Sequence, residues 1–283
     1  MISLEKTSGL PLQMREDYSL VFGEEIQPGS QEIREFSALK NFLHDPSGKY
    51  WRRDVYHIYR DLGLKTDLEK IHEANLEYDL TVIPPGKIGN EFVKTCGHYH
   101  PFKPGTAVRY PEVYEVIYGK IFWLLQSASE DLERLEQVFL ISAERGQKII
   151  APPGFGHTSI NPTGDVAVLA NWQPRGNQEI YEPYEKFNGA AYYVLESERL
   201  SRSGQTSPEF EFTPNLNYKQ VPPLLKAQPR EFPQYDLLFA LPMYFTGMKN
   251  LKSLDFLTNP ENYTTDLVPE RLFSSQNSPK ISI

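Results

Sequence analysis

The chain has 283 residues, of which 29 are basic and 37 acidic, for a formal net charge of −8. With no Lys/Arg run, that balance excludes a nucleic-acid binder but not a small anionic substrate, because local backbone donors bind phosphate inside a negative protein. The single cysteine, Cys96, excludes an intrachain disulfide framework and fits a reducing cytoplasm.

Residues 1–50 read as an N-terminal extension with one helix over residues 37–44, closed by the turn cluster Asp45-Pro46-Ser47-Gly48. Residues 1–6 hold no apolar run of the secretory kind. From about residue 54 to 196 the chain reads as a succession of short strands. Residues 55–59 and 78–83 are rich in β-branched and aromatic side chains, and the second run stops at Pro84-Pro85-Gly86. A short amphipathic helix is expected over residues 64–74, between those two strands. Strands at 91–100 and 113–125 follow, the latter with a tight turn at Tyr118-Gly119-Lys120. Strands at 137–142, 148–151, 157–161 and 166–172 complete the set, with Thr163-Gly164-Asp165 as a hairpin turn. This rhythm predicts an all-β sandwich or barrel, assigned to residues 51–200.

Residues 201–283 form a proline-rich C-terminal extension that opens on a polar linker at 201–208. Pro222, Pro223, Pro229, Pro233 and Pro242 prevent a long helix before about residue 243. Aromatics such as Phe210, Tyr218, Tyr235 and Tyr244 argue against a disordered tail. The expectation is an extended segment packed on the barrel or on a partner subunit, with short helices near 251–256 and 270–273. Residues 237–245, the longest apolar-looking stretch, contain Pro242 and are too few to span a bilayer.

His98-Tyr99-His100, Glu112 and His157 carry the most information. In an extended strand residues i and i+2 face the same way, so His98 and His100 can both reach one point. Two imidazoles with a carboxylate and a third imidazole suit a borderline divalent metal such as iron, manganese, nickel or zinc. An isolated His-x-His is as often a pair of hydrogen-bonded core residues. Cys96 shares the parity of His98 and His100, but a small buried residue is the favoured reading for it.

The spacing adds weight. Gly119 follows Glu112, and Gly146 precedes Pro152-x-Gly154-x-x-His157-x-x-x-Asn161. These elements resemble the two motifs of the cupin family, whose double-stranded β-helix (jelly-roll) barrels hold a metal in the mouth. Residues 101–110 lengthen the usual spacing and read as a loop insertion. Outward from the motifs, the sequence resembles the cupin-type (archaeal-type) phosphoglucose isomerases, that is, glucose-6-phosphate isomerases. The resemblance rests on Val55-Tyr56-x-x-Tyr59, Thr81-Val82-Ile83-x-Pro85-Gly86-Lys87-Ile88-Gly89, Lys94-Thr95-x-Gly97-His98-Tyr99-His100, Glu112-Val113-Tyr114, Pro174 and Tyr181.

The resemblance implies a cytoplasmic, homodimeric enzyme of glycolysis and gluconeogenesis with one divalent metal ion on His98, His100, Glu112 and His157. It places Tyr56, Thr81, Thr95 and Gly97 at the substrate's phosphate and Tyr181 in the pocket wall. It implies interconversion of glucose 6-phosphate and fructose 6-phosphate through a cis-enediol, with Glu112 as the base and a hydride shift as the alternative route. Gln173 stands where the family has a pocket tyrosine, and Gly154-Phe155-Gly156 where it has Tyr-Trp, which leaves the exact sugar phosphate open. A metal-dependent cupin oxygenase and a non-catalytic sugar-phosphate-binding cupin are the competing readings.

Overall fold

Gly119, at φ 78°, turns the chain out of one sheet and into another. A β-carbon there would meet the Val166 carbonyl, so glycine suits this corner on both counts. The expected tight turn is therefore a crossing between sheets and not a hairpin. The computed structural model describes residues 1–200 and 206–275. Its six-stranded sheet runs Lys148–Ala151, Glu112–Tyr118, Ala167–Pro174, Leu76–Ile83, Asp54–Arg60 and Ser30–Glu35, antiparallel at every pairing. A five-stranded sheet runs Phe155–Ile160, Lys120–Ala128, Leu135–Glu144, Leu224–Gln228 and Ser274–Ser275.

From residue 112 to 174 the chain crosses between these sheets at Gly119, at Gly146, after residue 151 and after residue 160. That alternation makes the fold an all-β cupin barrel. Thr163-Gly164-Asp165 likewise sits in a crossing between sheets. Asn161 holds it from inside, donating from Nδ2 to the Ile83 carbonyl (2.9 Å) and the Asp165 carbonyl (2.8 Å). The six-stranded sheet takes in Ser30–Glu35, so its edge comes from the segment before residue 51, which also holds short strands besides its helices.

Residues 91–100 do not form one continuous strand. Only Glu91–Phe92 is a strand, followed by isolated bridges Lys94↔Ile160 and His98↔His157. Between those bridges one side advances four residues and the other three, a bulge that gives the segment an extra residue just before the metal motif. The expected helix at 37–44 is a turn of α-helix, Phe36–Leu39, followed by the 3-10 turn Lys40–Phe42. The one at 64–74 is Leu68–Glu73.

Leu76–Ile83 and Ala167–Pro174 are buried along their whole length, because both faces of the sheet are covered. The inner face looks into the barrel. On the outer face Tyr78 and Trp172 pack against Tyr244 of the C-terminal helix Met243–Lys249, with centroid separations of 5.1 and 5.9 Å. Of the polar linker expected at 201–208, residues 201–205 lie outside the described residues, and Thr206–Pro214 pairs with Tyr192–Leu200. Further on, Leu224–Gln228 adds in parallel to Leu135–Glu144. A buried ion pair fastens the segment after it: Lys148 Nζ donates to Glu115 (2.8 Å) and to the Leu238 carbonyl (2.8 Å), while Glu115 accepts the Met243 N–H (2.7 Å). Helices Asp255–Thr258 and Pro269–Leu272 occupy the two regions expected near the end of the chain. No described helix is long and apolar enough to cross a membrane.

Candidate metal centre and substrate cavity

Three separate elements bring the four motif side chains together. His98 and His100 come from the bulged segment bridged to Phe155–Ile160, His157 from that strand, and Glu112 from the first position of Glu112–Tyr118. Their nearest ligand atoms all lie within 4.8 Å of one another. Glu112 Oε2 is 3.1 Å from His100 Nε2, 3.1 Å from His157 Nε2 and 4.0 Å from His98 Nε2. His98 Nε2 and His100 Nε2 are 3.2 Å apart.

These separations fit one shared cation. Two ligand atoms bound about 2.1 Å from a common ion are about 3 Å apart when adjacent and about 4.2 Å apart when opposite. The chemistry of the donors points the same way. His100 Nδ1 lies 3.0 Å from the Tyr110 carbonyl, an acceptor, so Nδ1 carries the ring proton and Nε2 presents a lone pair to the cluster. Burial, reinforced by the His157 and His100 rings, pushes His98 well below its ordinary pKa, which favours the neutral form that ligates metals. Burial alone would raise the Glu112 carboxyl, but the His100 and His157 rings set against it hold it well below the usual carboxylate range. Cys96 is buried, lies outside the cluster, and has its Sγ 4.0 Å from the Ala38 carbonyl.

His98 and Glu112 form one end of a cavity that Tyr56, Thr81, Thr95 and Tyr181 also line. Tyr56 and Thr81 come from the adjacent strands Asp54–Arg60 and Leu76–Ile83, and Thr95 from the bulged segment between the Lys94 and His98 bridges. The Cys96 N–H donates to the Tyr56 hydroxyl (3.2 Å) and the Ser159 N–H to Thr95 Oγ1 (3.0 Å). Each hydroxyl oxygen thus has an incoming donor, which leaves its own proton free to donate. Gly97 is set behind the wall: a β-carbon there would overlap the Tyr184 ring, which gives this glycine a packing reason of its own.

Several residues in the cavity wall or just behind it escaped the sequence reading. Tyr114, two residues beyond Glu112 on the same face, puts its hydroxyl 2.9 Å from His157 Nε2. Asp79 stands in the same relation to Thr81. Strand parity would have found both. Arg34 was not legible in this way, because only the long-range pairing of Ser30–Glu35 with Asp54–Arg60 sets it opposite Tyr56. Its Nη2 donates to the Tyr181 hydroxyl (3.3 Å), and its Nε is buried without a hydrogen-bond partner. Gln173 faces inward and donates from Nε2 to both Glu77 (3.0 Å) and Asp79 (2.9 Å).

A family model described as glucose-6-phosphate isomerase (GPI) matches residues 33–211. The glucose-6-phosphate isomerase of Thermococcus gammatolerans is 31% identical over 164 residues, covering 54% of this chain and 78% of its own. That of Thermococcus litoralis is 31% identical over 144 residues, 50% of this chain and 67% of its own, and that of Pyrococcus furiosus 35% over 140 residues, 48% and 66%. An oxalate oxidase structure superposes over 50% of this chain and 61% of its own with a TM-score of 0.35 at 14% identity, too slight a likeness to argue from. Because the family model spans more than half of the sequence, and the chain covers over two thirds of a relative more than 30% identical to it, this chain belongs to the glucose-6-phosphate isomerase family.

Proposed function

We propose that the chain interconverts glucose 6-phosphate and fructose 6-phosphate with the help of one divalent metal ion. In this reading Tyr56, Thr81 and Thr95 bind the phosphate, Gly97 lets the wall close on Tyr184 behind them, and the C1–C2 end of the open-chain sugar lies at His98, His100, Glu112 and His157. The observation that carries it is the convergence of these four donors at one end of a cavity also lined by Tyr56, Thr81 and Thr95. Family membership supports the isomerase chemistry.

A divalent cation held by these side chains supplies a Lewis acid for the substrate's C1 and C2 oxygens. The protein's own groups do the rest. Glu112, kept ionised by the imidazoles, takes the proton from C2 of the aldose and returns it to C1; O1 is protonated as the cis-enediol forms, and O2 gives up its proton as the enediol collapses to the ketose. Isomerisation balances without any further reactant. Tyr114, against His157, stands at the reacting end as a hydroxyl donor. Behind Tyr181 stands Arg34, whose positive charge supports the neutral hydroxyl donors and whose hydrogen bond leaves the Tyr181 proton pointing away from the guanidinium. The reading also carries assembly as a homodimer, supported by exposed Trp51 and Phe210 lining a single cleft and checked by the mass in solution.

The decisive measurement is an interconversion assay on chelator-stripped protein with manganese, iron, nickel or zinc restored singly. Activity should vanish with the metal and return with at least one of them. A folded, metal-loaded preparation that leaves both hexose phosphates unchanged would overturn the proposal. Run in D₂O, the same assay separates the two routes, since proton transfer brings solvent deuterium into the product and a hydride shift does not.

A further inference from the structure

The inserted loop and the C-terminal extension, both unaccounted for by the reaction, meet at Lys103, three residues beyond the candidate ligand His100. His100 is the last residue before the insertion, and it is almost fully buried, with 3% of its side chain exposed. Two residues at the far end of the same loop hold it. The Tyr110 carbonyl takes His100 Nδ1 at 3.0 Å, and the Arg109 guanidinium donates to the His100 carbonyl at 2.6 Å. One contact sets the ring and its tautomer, the other the backbone it hangs from.

The loop can hold His100 only if its two arms keep their spacing. The arms are zipped by Tyr110 N–H to the Pro101 carbonyl (3.1 Å) and Lys103 N–H to the Val108 carbonyl (2.9 Å), and Arg109 stacks on Phe102 with its guanidinium 4.1 Å from the ring centre. Among the described residues, the hydrogen bonds and ion pairs that tie this loop to the C-terminal extension come from one side chain. Lys103 Nζ donates to Asn259 Oδ1 (2.8 Å) and pairs with Glu261 (2.6 Å), more than 150 residues away in sequence. Asn259 is itself fixed, donating from Nδ2 to Asp255 Oδ1 at 2.7 Å.

We propose that the C-terminal extension acts as a clamp on the metal centre: Asn259 and Glu261 hold Lys103, and the loop so held fixes the orientation and tautomer of His100. Lys103 and Arg109 are positioning residues in this account. Groups that orient a ligating histidine from behind are worth about 10- to 100-fold in metal affinity. The inference rests on the metal-centre reading above, and its test separates the two.

The test is the affinity of the full-length, chelator-stripped chain for Zn²⁺, measured by competition with a chromophoric chelator. Lys103→Met should weaken binding about 10-fold, Glu261→Gln should do so in the same direction, and the double variant should be no weaker than Lys103→Met alone, because both break one contact. Lys103→Arg should restore most of the affinity. The unfolding midpoint of the metal-free protein should stay where it is, which a merely stabilising contact would not allow. Equal affinity in the parent, Lys103→Met and Arg109→Met would overturn the clamp while leaving the metal centre intact. A parent that binds no divalent ion would remove the metal centre, and the clamp with it.

Discussion

Two groups of buried carboxylates share the inside of this barrel and are neutralised in different ways. Glu77 and Asp79 are met by donors from the protein: Gln173 bridges them, the Gly176 N–H reaches Glu77 (3.2 Å), and the Asp61 N–H (2.8 Å) and Arg60 (3.4 Å) reach Asp79. Glu112 is met by three imidazole nitrogens, two of which face each other at 3.2 Å. Burial pushes the first pair of carboxyls up, whereas the histidines hold Glu112 down. Both groups are buried, and the opposite shifts separate a cluster completed by protein donors from one whose ligand atoms could hold a cation. The first belongs to the cavity wall, and the second is the candidate metal centre.

The hardest way to break this comparison is Glu112→Gln. It should lower kcat/KM about 10³-fold, within the usual range for a positioned acid–base group, while circular dichroism shows an intact barrel. Near-normal turnover would take Glu112 out of the chemistry. A further buried carboxylate, Glu115, on the opposite face of the strand from Glu112, offers a control outside the site. Burial raises it to about 7 even with Lys148 beside it. Lys148→Met strands that charge and frees the Leu238 carbonyl, so chemical denaturation should register a loss of about 3 kcal/mol. A loss confined to metal binding would contradict the structural role given to this pair.

At the phosphate end, Arg34→Met and Thr95→Val should each raise KM for glucose 6-phosphate about 10-fold, leaving kcat within a few-fold, as expected when one hydrogen bond to a charged group is lost. A fall in kcat with KM unchanged would move the residue concerned to the reacting end. The smallest effect concerns pH. Because Glu77 and Asp79 titrate above their unfolded values, the native state retains protons that the unfolded chain has released. Their contribution is therefore greatest below the ordinary carboxylate pKa of about 4 and declines as pH rises toward neutrality. Glu77→Gln should flatten that decline by about 1 to 2 kcal/mol in urea unfolding followed from pH 5 to pH 7. A slope identical to the parent's would place the shifted proton elsewhere.

Much of the site could be read before any fold was drawn. His98, His100 and Glu112 follow from strand parity and spacing, and His157 from the Pro152–Gly154 turn that sets its entry into the barrel. Cys96 lines the same cavity as His98, yet its Sγ lies outside the ligand cluster, against the Ala38 carbonyl, in keeping with its reading as a small buried residue. Gly119 was read as a turn but not as a change of sheet, since a glycine at positive φ looks alike in both.

By itself the sequence determined the local quantities: strand rhythm, the ligand types and their offsets, and the proline content that keeps long helices out of residues 201–242. Those depend on neighbours a few residues apart. The tertiary structure alone decided that Arg34 reaches Tyr181, that Gln173 satisfies two acids, and that Glu261 pairs with Lys103 in the loop beyond His100. Each joins residues separated by about a hundred positions or more, and no periodicity in a single chain encodes which distant strand or turn will close over a given side chain.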